Sequence, residues 1–189
     1  MSKYRIHSIK AVNCLKKIGG VIAYPTEAVF GLGCNPFDED AINKIMAIKS
    51  RSLRKGVIVI ASDSSQITPF IKPLFHLGQK RKQEILASWP GANTWILPAK
   101  PSIPKWLTGE HDTIAIRITN HPVAKEICRF YKGAIVSTSA NHHGYTPAVT
   151  AMECHRYLKI KPDYIHPGKV GNNSKPSSIR DGISGKVLR

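Results

Sequence analysis

The sequence predicts a single α/β domain in which helices pack on a largely mixed sheet. Three observations point there. The 189 residues suffice for one sizeable core and are short for two. Strand-like apolar runs alternate with helix-like segments from one end to the other. No internal repeat or low-complexity tract interrupts that alternation.

Each element follows from a local signal. Ser8 can cap a helix in which Ile9, Val12, Leu15 and Ile18 recur at near-helical spacing, and Gly19-Gly20 stop it. "VIAYP" (21–25) reads as a strand ended by Pro25, and the stretch after it as a polar Thr26-Glu27 pair before a tight turn allowed by Gly31 and Gly33. Asp38 and Asp40 can cap a second helix with Ala41, Ile45, Met46 and Ile48 on its apolar face. "GVIVIA" (56–61) lacks alternation, as expected of a central strand covered on both faces. Residues 64–71 and 73–87 read as helices, "TWILPA" and "TIAIRIT" as strands, and "HPVAKEICRFYK" as a helix with Pro122 in its first turn. "GAIVST" (133–138) is a further strand. Thr150 caps the helix "VTAMECHRYL", and "DYIHP", "SSIRD" and "GKVLR" close the chain as short strands. "PGKVGNNSKPS" (167–177) is a loop and a candidate lid.

Composition narrows the function. Lys and Arg number 28 against 12 Asp and Glu, a formal charge of +16, which favours a polyanionic partner such as nucleotide phosphates or nucleic acid. No apolar run approaches the ~20 residues of a membrane helix, and no apolar core follows the basic N-terminus as a secretory signal requires. A cytoplasmic protein with no membrane partner is expected. Cys14, Cys34, Cys128 and Cys154 lack metal-site or disulfide-framework spacing, so they read as reduced thiols, with Cys34 kept as a candidate nucleophile because it follows a Gly-rich turn. His111, His142, His143 and His166 have no paired ligand spacing, and no metal site is expected from them.

Four segments hold the unusual polarity. "YPTEAVFGLG" (24–33) places Thr26 and Glu27 at a strand end. "KSRSLRK" (49–55) concentrates Lys49, Arg51, Arg54 and Lys55 between a helix and a central strand, where like charges repel unless a multivalent anion joins them. Two or three charge-assisted hydrogen bonds of ~1.5–3 kcal/mol each would hold a triphosphate there. In "DTIAIRIT" (112–119), Arg117 follows alternating apolar residues; it can pair with a surface acid or grip a ligand carboxylate bidentately. "STSAN" (137–141) ends an apolar run in hydroxyls and an amide, without a titratable base. The P-loop, GxGxxG, HExxH and GxSxG patterns are all missing, so chemistry on phosphates would rest on positioning and charge neutralisation.

"YPTEAVFGLGCNP", "KSR", "WPGANTW", "LTGEHDTIAIRITNHP", "STSANHHG" and "PSSIRD", in this order and spacing, closely resemble the YrdC-like family in its short threonylcarbamoyl-AMP synthase branch. The resemblance runs from about residue 20 to the last residue. It implies a single YrdC-like domain over residues 1–189, a twisted open mixed sheet with flanking helices and a basic concave surface, and no second domain of the kind longer relatives carry. It also implies a reaction, in which L-threonine, bicarbonate and ATP give L-threonylcarbamoyl-adenylate and pyrophosphate. That product feeds N6-threonylcarbamoyladenosine synthesis in tRNA, and other proteins carry out the transfer. Mg²⁺, held mainly by the ATP phosphates, is the implied cofactor.

By the same resemblance the catalytic tetrad falls on Lys49, Arg51, Ser139 and Asn141. Lys55, Thr113 and Arg189 join it around ATP, while Thr26, Arg117, Ser137 and Ser177 line the threonine pocket, Arg117 taking the carboxylate. Lys49 and Arg51 are expected as exposed loop cations whose loss costs little stability. The chain departs from the family pattern at Ser52, at Ala92-Asn93 and at Ile118-Thr119, which bears on loop shape. The competing reading is a duplex-RNA-binding module without catalysis, since the charge suits a phosphate backbone; weak RNA association is expected under either reading. Interleaved aromatics of a stacking surface are lacking.

Overall fold

The computed structural model describes residues 4–173 and 177–189. Its helices are α1 (Arg5–Leu15), α2 (Glu39–Lys49), α3 (Gln79–Ala87), α4 (Lys105–Thr108), α5 (Pro122–Tyr131) and α6 (Ala151–Tyr157). The strands are β1 (Val21–Pro25), β2 (Phe30–Cys34), β3 (Ile58–Ala61), β4 (Asn93–Pro98), β5 (Thr113–Ile118), β6 (Ile135–Ser139), β7 (Tyr164–Ile165) and β8 (Ser178–Asp181). They form one open sheet in the order β7-β1-β2-β6-β3-β5-β4-β8. Parallel pairs (β1/β7, β3/β5, β4/β8) are interleaved with antiparallel ones, the mixed sheet that the alternation predicts. No helix among the described residues is long and apolar enough to cross a membrane.

Several local expectations are corrected. β2 was expected as a turn because of Gly31 and Gly33, yet it pairs along its whole length with β1. A Cβ on Gly33 would come within 2.7 Å of the Tyr24 ring and 2.6 Å of Val136 O, so the missing side chain serves strand packing. Ser8 lies inside α1, buried, and its hydroxyl donates to Glu126 Oε2 at 2.6 Å. α1 ends at Leu15, and Ile18 is 87% exposed. Residues three apart step 300° around a helix, so Ile9 drifts off the face that buries Val12 and Leu15, and Ile18 lies past the helix end. The expected helices over 64–71 and 73–87 shrink to short 3₁₀ turns at Ser64–Ile67 and Leu74–Leu77 and to α3. Pro69 and Pro73 remove donors and disfavour helical geometry before them, and Gly78 at φ 81 separates the last turn from α3.

Asp38, not Asp40, caps α2: one carboxylate oxygen accepts from Ala41 N at 3.0 Å and the other from Gly19 N at 2.8 Å, tying the helix start to the turn before β1. The expected cap at Thr150 forms as well, accepting from Glu153 N.

The two faces of the sheet are covered by different helices. On one, α2, α3, α4 and α6 bring Ile45, Ile85, Leu107 and Cys154 into the larger core around Val59, Trp95 and Ile116. On the other, α1 and α5 press Leu15 and Ile127 onto Ile22, Tyr24, Ile60 and Ile135. Each fully buried aliphatic side chain contributes ~1.5–3 kcal/mol. Side chains alternate along a strand, so Ile135, Ser137 and Ser139 of β6 point to this second face, as do Ile60 and Ile58 of β3 beside them. The apolar part of the row lies under α1 and α5, and a cavity opens over its polar end.

Candidate functional site

The cavity has a volume of about 590 Å³. Its floor is built largely from alternate residues of three adjacent strands, Ser137 and Ser139 from β6, Ile58 from β3, and Thr113, Ala115 and Arg117 from β5, with Thr138 also in the lining at the end of β6. Arg51 and Lys55 close one wall, and Asn141 and Tyr145 form another. Thr26 and Glu27 come from the loop after β1, and Ser177 and Arg189 from the last segment. Thus ten of the eleven sequence-predicted residues line one hollow: Thr26, Arg51, Lys55, Thr113, Arg117, Ser137, Ser139, Asn141, Ser177 and Arg189.

Lys49 stands elsewhere. It is 3% exposed, beneath the shelf, and its expected exposure is corrected. Its ammonium donates to Ser139 O, to Asn141 O at 3.1 Å and to Asn141 Oδ1 at 2.8 Å, with Ser139 Oγ at 3.4 Å. Ser139 Oγ donates to the same Asn141 Oδ1 at 2.7 Å. His143 N returns a bond to Lys49 O at 2.8 Å. An ammonium has three protons, and acceptors on the shelf take all three. Burial, and then the Arg51 charge, lower its pKa to about 8.

The separation of Lys49 from Arg51 has a local cause. Ser50 caps α2 in the left-handed conformation (φ 49), with Ser50 N donating to Ala47 O and Arg51 N to Met46 O. The helix thereby ends with Lys49 still in its buried row, while Arg51 turns outward to the cavity, where its Nη2 donates to Gly56 O at 3.1 Å. Burial lowers the Arg51 pKa from its usual value.

At the other end of the hollow, Arg117 meets a buried acid that sequence reasoning did not pair with it. Glu27 Oε2 lies 3.3 Å from Arg117 Nη2, and Glu27 Oε1 accepts from Thr119 Oγ1 at 2.7 Å and from Asn120 N at 3.1 Å. Burial raises the Glu27 carboxyl, but Arg117 and then Thr119 outweigh it, and the net shift is downward. Thr119 is one of the positions where the chain departs from the family pattern. Thr26 Oγ1 donates to Val29 O at 2.7 Å, which fixes the turn before β2. Ser177 Oγ lies 3.1 Å from Thr94 Oγ1, and Arg189 Nη2 donates to Ser177 O at 3.2 Å.

Sequence reasoning also missed Tyr145 as a rim residue, although it lies four positions after Asn141, whose Nδ2 donates to its carbonyl. The thiols offer no nucleophile: all four are buried and free, and burial drives the Cys34 thiol well above its usual range. His166 is buried and hydrogen-bonded, while His111 lines the cavity. Of the candidate lid over 167–177, residues 174–176 lie outside the described residues. A second hollow of about 420 Å³ between Leu15–Ile18 and Asn35–Asp40 mixes lysines with acids and has no hydroxyl shelf.

Known proteins share this sequence and fold. Relatives named threonylcarbamoyl-AMP synthase include one from Cellvibrio japonicus, 46% identical over 179 residues that cover 95% of this chain and 93% of that protein. Another, from Hahella chejuensis, is 48% identical over 180 residues, covering 95% and 96%. Among solved structures, P. abyssi Sua5 in complex with L-threonine superposes with a TM-score of 0.79 at 28% identity, over 95% of this chain and 50% of that one. This chain therefore spans half the length of that Sua5. E. coli YciO superposes with a TM-score of 0.79 at 26% identity, over 98% and 89%. The Sua5/YciO/YrdC family profile, described as "Telomere recombination", matches residues 14–189, and the chain belongs to that family.

Proposed function

We propose that this protein is a threonylcarbamoyl-AMP synthase, converting L-threonine, bicarbonate and ATP to L-threonylcarbamoyl-adenylate and pyrophosphate. One observation carries the reading: a cationic wall (Arg51, Lys55), a hydroxyl-amide shelf (Ser139, Asn141) and a carboxylate receptor (Arg117) all face one hollow of about 590 Å³. Relatives of nearly equal length carry that name, and a Sua5 of the same fold is described in complex with L-threonine. Arg51 and Lys55 beside hydroxyls and the apolar Phe30, Ile58 and Leu107 suit a nucleotide better than a long nucleic-acid strand.

In this reading threonine lies at the Arg117 end, its carboxylate on the guanidinium, with Thr26, Ser137 and Ser177 around it. The threonine amine and bicarbonate form a carbamate with loss of water. A carbamate oxygen then attacks the α-phosphorus of ATP, and the bond to the β,γ-unit breaks to release pyrophosphate. Neither step uses a covalent enzyme intermediate. Arg51, Lys55, Thr113 and Arg189 hold the nucleotide; Ser139 and Asn141 contact it from the shelf, which Lys49 stiffens from below. Among the described residues no His, Cys, Asp or Glu cluster is grouped to hold a metal ion, and Glu27 on the cavity wall faces Arg117. Such a lining suits a nucleotide that brings magnesium on its own phosphates, where the ion would share the leaving group's charge. Residues 1–189 act as one domain, and the adenylate passes to the proteins that modify tRNA.

The test is pyrophosphate release from ATP. Release is expected only with threonine and bicarbonate together, and release independent of threonine would remove the assigned substrate.

A further inference from the structure

We propose that Glu27 is a positioning residue that presents Arg117 to the substrate carboxylate, holding the guanidinium by charge while leaving its hydrogen-bond donors free. The inference rests on the threonine reading above and adds a residue to that end of the site.

Four observations carry it. First, the pair is enclosed: the side chains of Arg117 and Glu27 are 8% and 11% exposed, in the lining of the hollow. Second, Glu27 is itself immobilised. Its Oε1 takes two hydrogen bonds, from Thr119 Oγ1 and Asn120 N. The backbone of the Thr26–Glu27 pair is held as well, Gly171 N donating to Thr26 O at 2.9 Å and Asn173 N to Glu27 O at 3.1 Å. Third, the contact with Arg117 is an ion pair and not a saturated fork. Glu27 Oε2 is 3.3 Å from Nη2 but without hydrogen-bond geometry, and neither Glu27 Oε2 nor Arg117 Nε has a hydrogen-bond partner among the described residues. Fourth, nearby His121 makes no hydrogen bond to either member of the pair: its Nε2 lies 3.1 Å from Lys169 O, and its buried Nδ1 has no hydrogen-bond partner among the described residues.

A guanidinium buried without a counter-ion is costly, and one locked in a two-bond fork with a carboxylate has spent the donors a ligand needs. Glu27 meets both demands. It supplies the counter-charge, and because its second oxygen is occupied by Thr119 and Asn120, it cannot close the fork. Arg117 is left oriented and able to donate to an incoming carboxylate. Without Glu27 the same arginine would be free to turn.

The experiment is titration calorimetry of the full chain with L-threonine, with threoninol, which lacks the carboxylate, and with ATP. Glu27→Gln is expected to weaken threonine binding about ten- to hundredfold and to leave ATP binding unchanged. Its effect on threoninol should be small, since Arg117 then has no carboxylate to meet. Thr119→Val, which keeps the charge pair and removes the bonds of Thr119 Oγ1 to Glu27 and from His121 N, should weaken threonine binding in the same direction but less, and Thr119→Ser, which keeps both bonds, should restore it. Threonine binding by Glu27→Gln equal to that of the unaltered protein would overturn the inference alone. So would equal losses for threonine and threoninol, or equal losses for threonine and ATP, in both Glu27→Gln and Thr119→Val. If Glu27→Gln fails to fold, the Thr119 pair decides by the same comparison. Absence of threonine binding in the unaltered protein would bring down the substrate reading, and the inference with it.

Discussion

Lys49 Nζ lies 2.8 Å from Asn141 Oδ1, the atom that also accepts the Ser139 hydroxyl at 2.7 Å. Ser139 at the end of β6 and Asn141 just beyond it are thus tied to the last residue of α2, 90 and 92 positions earlier, with Asn141 Oδ1 as a shared acceptor. Lys49→Ala would leave Asn141 O without its partner and take the charged donor from Ser139 O and Asn141 Oδ1, which would keep only the neutral bonds from Asn141 N and the Ser139 hydroxyl. We expect a loss of ~2–3 kcal/mol in stability by urea denaturation, together with a loss of ATP affinity, because the shelf is no longer fixed.

Arg51→Ala should behave differently. The guanidinium makes one backbone bond, to Gly56 O, and faces the cavity. Stability should fall by ~1 kcal/mol or less, while the KM for ATP rises about ten- to hundredfold. Equal losses of stability in the two variants would contradict the division of labour between the two cations.

Gly171→Ala probes the segment that binds the Thr26–Glu27 backbone. An added Cβ would come within 2.7 Å of Glu27 O and 3.1 Å of Glu27 Cα, so segment or loop must move. The KM for threonine should rise several-fold and the melting temperature fall by ~2–4 °C per kcal/mol lost. An unchanged KM would show that the segment does not shape this end of the hollow.

His166 gives a pH signature. It is fully buried, its Nδ1 accepts from Gly168 N at 3.0 Å, and its Nε2 lies 3.4 Å from Ser8 Oγ. Burial, then the neighbouring His7 and His121, lower its pKa from 6.5 to about 4. Between these values the unfolded chain binds the proton and the folded one does not. Stability is therefore full above the upper value and falls with pH through the interval, by at most ~1.4 kcal/mol per pH unit from this group. Urea midpoints measured at neutral pH and at two acid values should show the slope, and His166→Gln should flatten it.

Much of the site was legible because its residues sit where strands and helices stop, and stops carry composition signals. "STSAN" and "KSR" both mark such ends. What the sequence did not reveal is which side of a backbone reversal each residue takes. Lys49 and Arg51 differ by two positions, and the left-handed Ser50 sends them to opposite surroundings. The Glu27–Thr119 contact joins residues 92 positions apart through side chains alone, and no local pattern encodes it. β2 was hidden for another reason: its glycines serve close packing against Tyr24 and looked like turn residues.

Ile135, Ser137 and Ser139 occupy one row of the pleat, with Val136 and Thr138 on the other. Inserting or deleting a single residue before Ser137 would exchange the rows, turning the serines toward the larger core and Val136 toward the ligand. Evolution can therefore retune this floor by substitution, strand by strand. Changes of length must be confined to the loops, since the strand that supplies the hydroxyls also anchors in the hydrophobic interior.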